Sequence, residues 1–166
     1  MSAEKKKQLG VLWLIVVLVV VLIGSVVFVG AVSGWFDDTR VTVDDEYICV
    51  DDCGELMELT AEEYGRLIEE KKSFVVFVDQ GGCTTADKLR EYVRDWSEKS
   101  GVRVYRMMFK DMKDSLLAGF VKYYPSVALV SRGKVVTWLR ADSDEDADIY
   151  NDYDVFSDWM KDHIVQ

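Results

Sequence analysis

The chain begins with one long uncharged stretch, and only beyond it do apolar and polar residues alternate. No charged residue occurs from Leu9 to Phe36, and as a helix this run would extend about 42 Å, more than the roughly 30 Å hydrocarbon core of a bilayer. Three lysines precede the run and two aspartates follow it: Lys5, Lys6, Lys7, Asp37 and Asp38. The pattern predicts a single-pass protein of the cell membrane. Residues 1–8 lie in the cytosol, residues 9–36 cross the membrane, and the remainder is extracytoplasmic.

A cleaved signal peptide is the alternative interpretation of this segment. Ala31 and Ser33 have the small-residue spacing that a signal peptidase accepts. The apolar run is, however, well beyond the usual length of about 7–15 residues, which favours an uncleaved anchor. Both interpretations put the C-terminal domain outside the cytosol.

The next segment, residues 37–58, is predicted to be an acidic stem. Its two β-rich stretches, residues 41–43 and 47–50, are candidates for short strands. The Thr60–Glu63 sequence then has the capping-box pattern that begins a helix. The nearly continuous apolar run over residues 73–79 is typical of a strand that is buried on both faces.

The remaining pattern continues the alternation of strands and helices. It predicts a helix that ends at Gly101, a strand over 102–109, a helix from Asp111, a hairpin over 127–139 and a last helix from about Asp154. If the stem supplies the first strand, the order is β-α-β-α-β-α-β-β-α. Such an order predicts an α/β domain over residues 59–166 with a central mixed sheet flanked by helices.

Composition and charge exclude several classes of function. The chain has 30 acidic and 20 basic residues, of which one acidic and three basic residues fall in residues 1–36. The rest therefore carries a formal charge near −12, which argues against a nucleic-acid partner. One His and three Cys are too few for a convincing zinc site, so we expect no metal and no cofactor.

Two segments carry a resemblance to a known family. Residues 74–89, an apolar strand followed by Gly81-Gly82-Cys83-Thr84-Thr85-Ala86, resemble the active-site region of the thioredoxin family. Residues 123–136, Tyr-Tyr-Pro-Ser-Val-Ala-Leu-Val-Ser-Arg-Gly-Lys-Val-Val, resemble the cis-proline strand and hairpin of that family. The resemblance covers roughly residues 56–166 and implies a thioredoxin-like fold.

The resemblance also implies a site. Cys83 would be the nucleophile, and the Tyr124–Pro125 peptide bond would be cis and would lie against Cys83. Extended protein or peptide clients would bind in the groove beside Pro125. The side chains expected to line that groove are Thr84, Thr85, Tyr124 and Ser126. Independently of the family, a thiol at a helix N-terminus faces free N–H groups that favour the thiolate.

The sequence departs from the family at the positions that matter most. Ala86 stands where the family has its second cysteine, so the chain lacks the usual resolving thiol. Gly82 replaces a tryptophan, and the buried acid of the family falls at about Phe77. Asp79 is too near the loop to be equated with that acid, which leaves the general base unidentified.

Cys49 and Cys53 form a CxxxC pair in the stem. Outside the cytosol these two residues could close a disulfide, and we favour that pairing with Cys83 free. In the alternative, one of them resolves a mixed disulfide formed by Cys83. One thiol is left over in either case.

The acidic segment over residues 141–154 is the other conspicuous motif. Its alternating carboxylates resemble a calcium loop, but Ala147 and Tyr153 stand where an EF-hand has Gly and Glu. A solvated loop is therefore favoured over calcium binding. His163, near the C-terminus, is interpreted as a helix-end residue rather than a base.

Two functions follow from these features. The first is a membrane-anchored extracytoplasmic thioredoxin-like protein in which Cys83 exchanges disulfides with client proteins as a monothiol. The second is a redox-inactive thioredoxin-fold module that binds a peptide or serves as an accessory subunit of a membrane complex. Whether the chain is an enzyme depends on the reactivity of Cys83.

Overall fold

The apolar run around Phe77 forms the centre of a mixed β-sheet. All six side chains of this strand, Phe74–Asp79, are buried, as expected for a strand covered on both faces. The computed structural model describes residues 40–165. Its elements are β1 (Val41–Thr42), β2 (Met57–Glu58), α1 (Ala61–Glu69), β3 (Phe74–Asp79), α2 (Thr84–Ser100), β4 (Val104–Met108), α3 (Phe109–Met112), β5 (Ser126–Ser131), β6 (Lys134–Trp138), α4 (Tyr153–His163) and β7 (Ile164–Val165), with 3-10 turns at Asp45–Tyr47 and Leu116–Gly119.

The five-stranded sheet has the order β2-β4-β3-β5-β6. Strands β2, β4 and β3 are parallel, whereas β5 and β6 are antiparallel to their neighbours. Helix α2 connects β3 to its parallel neighbour β4, as a crossover requires. The predicted α/β architecture, a central mixed sheet flanked by helices, is confirmed for the described residues.

Local sequence explains one end of each of the three longer helices, α1, α2 and α4. Thr60 and Glu63 form the predicted capping box, in which the Thr60 side chain accepts a hydrogen bond from Glu63 N. Helix α2 ends at Gly101, which adopts φ +71°, and α4 begins after Asp152, whose carboxylate accepts from two backbone N–H groups. Helices α2 and α4 pack together through Tyr92 and Phe156, whose ring centroids lie 6.0 Å apart.

Residues 41–58, expected to form a stem, belong to the folded domain. Strand β1 pairs in parallel with β7, and β2 forms one edge of the central sheet. The expected strand over 47–50 is wrong, because Tyr47 ends a 3-10 turn and Ile48 makes only an isolated bridge with Val102. Tyr47 is buried against Phe74 and Tyr105, so the domain includes residues well before 59.

The helix predicted from Asp111 is also wrong. The chain forms the single turn of α3 and then the 3-10 turn Leu116–Gly119. Ser115 interrupts the helix because its hydroxyl donates to Met112 O and accepts from Leu117 N, which satisfies backbone groups locally. Leu116 and Phe120, which fall within that predicted helix, are exposed.

The predicted membrane segment, residues 9–36, and the possible cleavage site at Ala31–Ser33 lie outside the described residues. Within residues 40–165, no helix combines the length and the hydropathy that crossing a bilayer requires.

Candidate functional site

Cys83 lies between the central strand and the long helix α2. It is the N-cap residue of α2, with φ −113° and ψ 124°, and its carbonyl accepts a hydrogen bond from Asp87 N at 2.9 Å. Gly82 precedes it at φ +78°, a left-handed conformation that turns the chain from β3 into the helix. Cys83 is half-buried, and it is the free cysteine of the described residues. The thiol therefore sits at a helix N-terminus, as the sequence predicts.

Pro125 lies at the same end of the sheet as Cys83. The Tyr124–Pro125 peptide bond is cis. Ser126, the next residue, pairs with Val78 in the antiparallel β3–β5 ladder. The chain therefore enters β5 at the end of the sheet where β3 ends and the chain continues to Cys83. Pro125 itself is buried.

The residues expected to line a groove have different surroundings. Thr84 and Thr85 are exposed on the first turn of α2, and Tyr124 is half-buried with its ring 3.8 Å from that of Phe109, centroid to centroid. Ser126 is fully buried, and its hydroxyl donates to Leu139 O at 2.7 Å. The expectation that the Ser126 side chain meets a peptide is therefore corrected, because that hydroxyl holds β5 to the end of β6.

Tyr150 is a member of the site that the sequence analysis missed. Its hydroxyl donates to Pro125 O at 2.9 Å, and the residue is buried. Burial raises the pKa of Tyr150 above its usual value, and the charges of Asp146 and Asp142 raise it further. The signal in the sequence was the pair Ile149-Tyr150, two apolar residues inside an otherwise acidic segment.

We expect Tyr150→Phe to lower the free energy of unfolding by about 1–3 kcal/mol, because the variant leaves the buried Pro125 carbonyl without its donor. Urea denaturation of the full-length protein in a neutral detergent measures the change. Tyr123→Phe is the matched control, since Tyr123 is 55% exposed and should show no loss. An equal change in both variants would contradict the importance of the Tyr150 hydrogen bond.

Asp79, at the end of β3, is the second group that the sequence analysis missed. It is fully buried, and both of its carboxylate oxygens are bound by guanidinium groups. Arg90 of α2 donates to both oxygens at 2.8 Å, and Arg106 of β4 donates through Nε at 2.7 Å. Arg90 also bonds Asp87, and Arg106 bonds Glu58. We call these five residues the Asp79 cluster.

The Asp79 cluster joins strands β2, β3 and β4 to the first half of α2. Burial alone would raise the pKa of Asp79, but the hydrogen bonds from Arg90 and Arg106 outweigh it and hold that pKa below its usual value. The carboxylate is therefore ionised at neutral pH and is a poor proton acceptor. It fixes the helix that begins at Cys83 rather than serving as a general base.

The Cys49–Cys53 disulfide lies far from Cys83. The two stem cysteines are bonded to each other, with their Cα atoms 5.7 Å apart. The Ser97 hydroxyl donates to the carbonyl of Cys53, which puts the disulfide beside the C-terminal half of α2. Ser97 is 14 residues after Cys83, or about 21 Å along the helix. Neither stem cysteine is therefore within reach of Cys83 as its resolving partner.

The acidic segment over residues 141–154 folds back on its own chain. Asp146 accepts hydrogen bonds from the backbone and side chain of Arg140, which also pairs with Glu145. Asp152 caps α4. Within residues 40–165, no group of three or more His, Cys, Asp or Glu is arranged to hold a metal ion.

Comparisons with known proteins bear on the fold. No protein-family model matches the chain, and no curated protein matches it. Among solved structures, a mutant thioredoxin from Halobacterium salinarum is 14% identical, with a TM-score of 0.50 over 70% of this chain and 97% of that one. A Schistosoma mansoni thioredoxin pre-protein is 18% identical, with a TM-score of 0.50 over 66% of this chain and 99% of that one.

These matches span nearly the full length of both thioredoxins while sharing few residues, so they bear on architecture alone. The cis bond before Pro125 and the position of Cys83 at the start of α2 are two features that the sequence resemblance implies, and this structure has both. The described domain has a thioredoxin-like fold.

Proposed function

We propose that the chain is a membrane-anchored, extracytoplasmic protein whose thioredoxin-like domain exchanges disulfides with client proteins through the single thiol of Cys83. The observation that carries the proposal is the position of this free thiol. It caps α2 at the end of the sheet where the cis bond before Pro125 lies. The thiol is half-buried and is flanked by the exposed residues Gly82 and Thr84, so a client can approach it.

The atoms and electrons of the proposed reaction balance when Cys83 is the only cysteine of this chain that reacts. The Cys83 thiolate attacks one sulfur of a client disulfide, a mixed disulfide forms, and the second client sulfur leaves as a thiolate. Another client thiolate then attacks the mixed disulfide and releases Cys83 as a thiolate. The client ends with a different pairing and no net electrons are transferred, so neither Ala86 nor the distant stem cysteines need to act.

Membrane anchorage is the second part of the proposal, and its support is the uncharged run over residues 9–36 between three lysines and two aspartates. A membrane-impermeant maleimide added to intact cells should label Cys83. In a Cys83→Ser background, a cysteine introduced as Ala3→Cys should be labelled only after permeabilisation. Labelling of position 3 in intact cells would overturn the proposed orientation.

A redox-inactive binding module is the competing function. Ala86, in the position of the family's second cysteine, is fully buried in α2, so this chain cannot use the usual dithiol cycle. In that case the groove near Pro125 would hold a peptide and Cys83 would not react with it.

Trapping of the mixed disulfide separates the two functions. The full-length protein in a neutral detergent is mixed with a disulfide-linked peptide, quenched with N-ethylmaleimide and analysed by mass spectrometry. We expect one adduct on Cys83 and none with Cys83→Ser. The protein should react with the peptide at least about tenfold faster than glutathione does at the same thiol concentration. Added glutathione should release the peptide.

A rate no higher than that of glutathione would reject thiol exchange and favour the binding module. Circular dichroism of Cys83→Ser is the control for folding. The variant should keep the spectrum of the parent, because the Cys83 side chain makes no capping hydrogen bond.

A further inference from the structure

Three large apolar side chains lie exposed on the segment that leads to Pro125. Leu116 is 68% exposed, Phe120 42% and Tyr123 55%. We call these residues the apolar patch. Ser115 interrupts the helix before them, the 3-10 turn Leu116–Gly119 follows, and the chain then leads to Pro125. Three exposed apolar side chains on one short segment indicate a candidate surface for binding another molecule.

The apolar patch is next to residues 139–152, which connect β6 to α4 and which we call the acidic loop. The Phe120 ring packs against Trp138, with 5.7 Å between centroids, and Trp138 ends the strand that leads into the loop. On the other side, the Tyr150 hydroxyl binds the Pro125 carbonyl. The loop and the patch therefore lie beside the same cis-proline segment.

The acidic loop is also fixed to the helix that Cys83 begins. Both the Lys88 ammonium, at 2.9 Å, and the Tyr92 hydroxyl, at 3.1 Å, donate to Asn151 O. Lys88 is five residues after Cys83, within the second turn of α2. Contacts to α2 and to Pro125 thus fix the loop to the helix that Cys83 caps and to the residue of the cis bond.

Some carboxylates of the loop already have partners within the protein, and others do not. Glu145 and Asp146 are paired with Arg140, and Asp152 caps α4. Asp142, Asp144 and Asp148 are exposed, and within residues 40–165 their side chains make no hydrogen bond or ion pair. The charge of Asp142 reaches the Tyr150 hydroxyl, since it contributes to the raised pKa of that group.

We propose that the clients of Cys83 are extended, basic segments: peptides whose disulfide is flanked by Lys or Arg on the side of the acidic loop and by an apolar side chain on the apolar patch. This inference rests on the proposed function and names its substrate class. Three unpaired carboxylates on the loop that contacts both α2 and Pro125 attract a cationic client and repel an acidic one. Lys122, the basic residue of the patch segment, keeps its positive charge while it donates to Ala118 O, and it repels other cations, so the cationic part of the client faces the loop.

Exchange rates with matched probes test the substrate class. Two peptides of equal length share one apolar residue and a central cysteine activated as a 2-thiopyridyl disulfide, but one has Lys and the other Glu at the flanking positions. Neutral 4,4′-dithiodipyridine is the reference. With the full-length protein in neutral detergent at low ionic strength, we expect the Lys peptide to react about tenfold faster than the Glu peptide. In high salt the ratio of the Lys-peptide rate to the Glu-peptide rate should fall close to one, because the charges are screened.

Charge variants separate the loop from the overall charge of the domain. Asp142→Asn/Asp144→Asn/Asp148→Asn should bring the ratio close to one. Asp51→Asn/Asp52→Asn/Glu55→Gln changes the formal charge equally, at exposed positions beside the far end of α2, and should leave most of the preference. Leu116→Ser should slow both peptides several-fold, whereas Val50→Ser, at a site 94% exposed, should not.

The outcomes distinguish the two proposals. Reaction with the neutral reference but equal rates for the two peptides would overturn the basic-client inference and leave thiol exchange intact. If both triple variants lose the preference for the Lys peptide, the preference comes from net charge, and the basic-client inference is overturned as well. If no probe reacts, thiol exchange fails, and fluorescence anisotropy with serine-containing peptides then decides whether the Lys peptide still binds more tightly than the Glu peptide. Equal binding would reject the inference independently.

Discussion

Replacing Asp79 with alanine is expected to lower the free energy of unfolding by about 3–5 kcal/mol, the range observed when one partner of a buried ion pair is removed. Asp79 is fully buried and neutralises two guanidinium groups that come from different elements. Without it, Arg90 and Arg106 keep only their exposed partners, Asp87 and Glu58. Urea denaturation of the full-length protein in neutral detergent, followed by tryptophan fluorescence, measures the loss.

Asp87→Ala is the matched control, because it removes a carboxylate from the same guanidinium group at a site where the side chain is 56% exposed. Exposed ion pairs contribute about 0–1 kcal/mol, so this variant should differ little from the parent. A similar loss in both variants would mean that Asp79 contributes no more than a surface pair.

The effect of Asp79→Ala should depend on pH in a defined direction. Because the pKa of Asp79 is lower in the folded protein than in the unfolded chain, its ionisation stabilises the fold at every pH above the unfolded value of about 3.9. That contribution is lost as pH falls through the folded pKa. The parent and the variant should therefore differ fully at pH 7 and converge below about pH 4.

The pattern of hydrophobic residues predicted the parts of the fold that depend on local spacing. The buried strand over 74–79, the capping box at Thr60 and the end of α2 at Gly101 all follow from a few adjacent residues. The helix expected from Asp111 failed because the Ser115 side chain satisfies backbone groups that would otherwise continue the helix. That difference bears on the proposed client surface, since Leu116 lies exposed directly after Ser115.

Within the candidate site, only the residues that belong to such local sequence patterns could be predicted. Cys83 at a helix start and Pro125 before a strand could be identified from the sequence with the help of the resemblance. Asp79 was placed at the end of a strand, but its role was missed, because its partners Arg90 and Arg106 are 11 and 27 residues away and meet it only in the folded sheet. Tyr150 was missed for the same reason, since its bond to Pro125 spans 25 residues.

Gly133→Ala should lower the free energy of unfolding by at least about 2–3 kcal/mol. The hairpin turn of β5 and β6 is evident from Ser131-Arg132-Gly133-Lys134, but the sequence gives no sign of what the turn packs against. Gly133 has φ +75°, and its N–H donates to Lys72 O at 2.9 Å, so the turn rests on the chain that links α1 to β3. A Cβ atom there would overlap the Ile68 carbonyl oxygen and lie 3.2 Å from Lys71 Cα.

Two conditions act together in this variant, because alanine is strained at positive φ and the atoms it meets belong to backbone that cannot rotate away. Gly65→Ala is the control, since Gly65 lies inside α1 with nothing within 4 Å of its Cβ position. There the same substitution should stabilise the protein by about 0.5–1 kcal/mol. Opposite signs for the two substitutions are expected in urea denaturation, and a loss at Gly65 equal to that at Gly133 would contradict the close approach of the hairpin to α1.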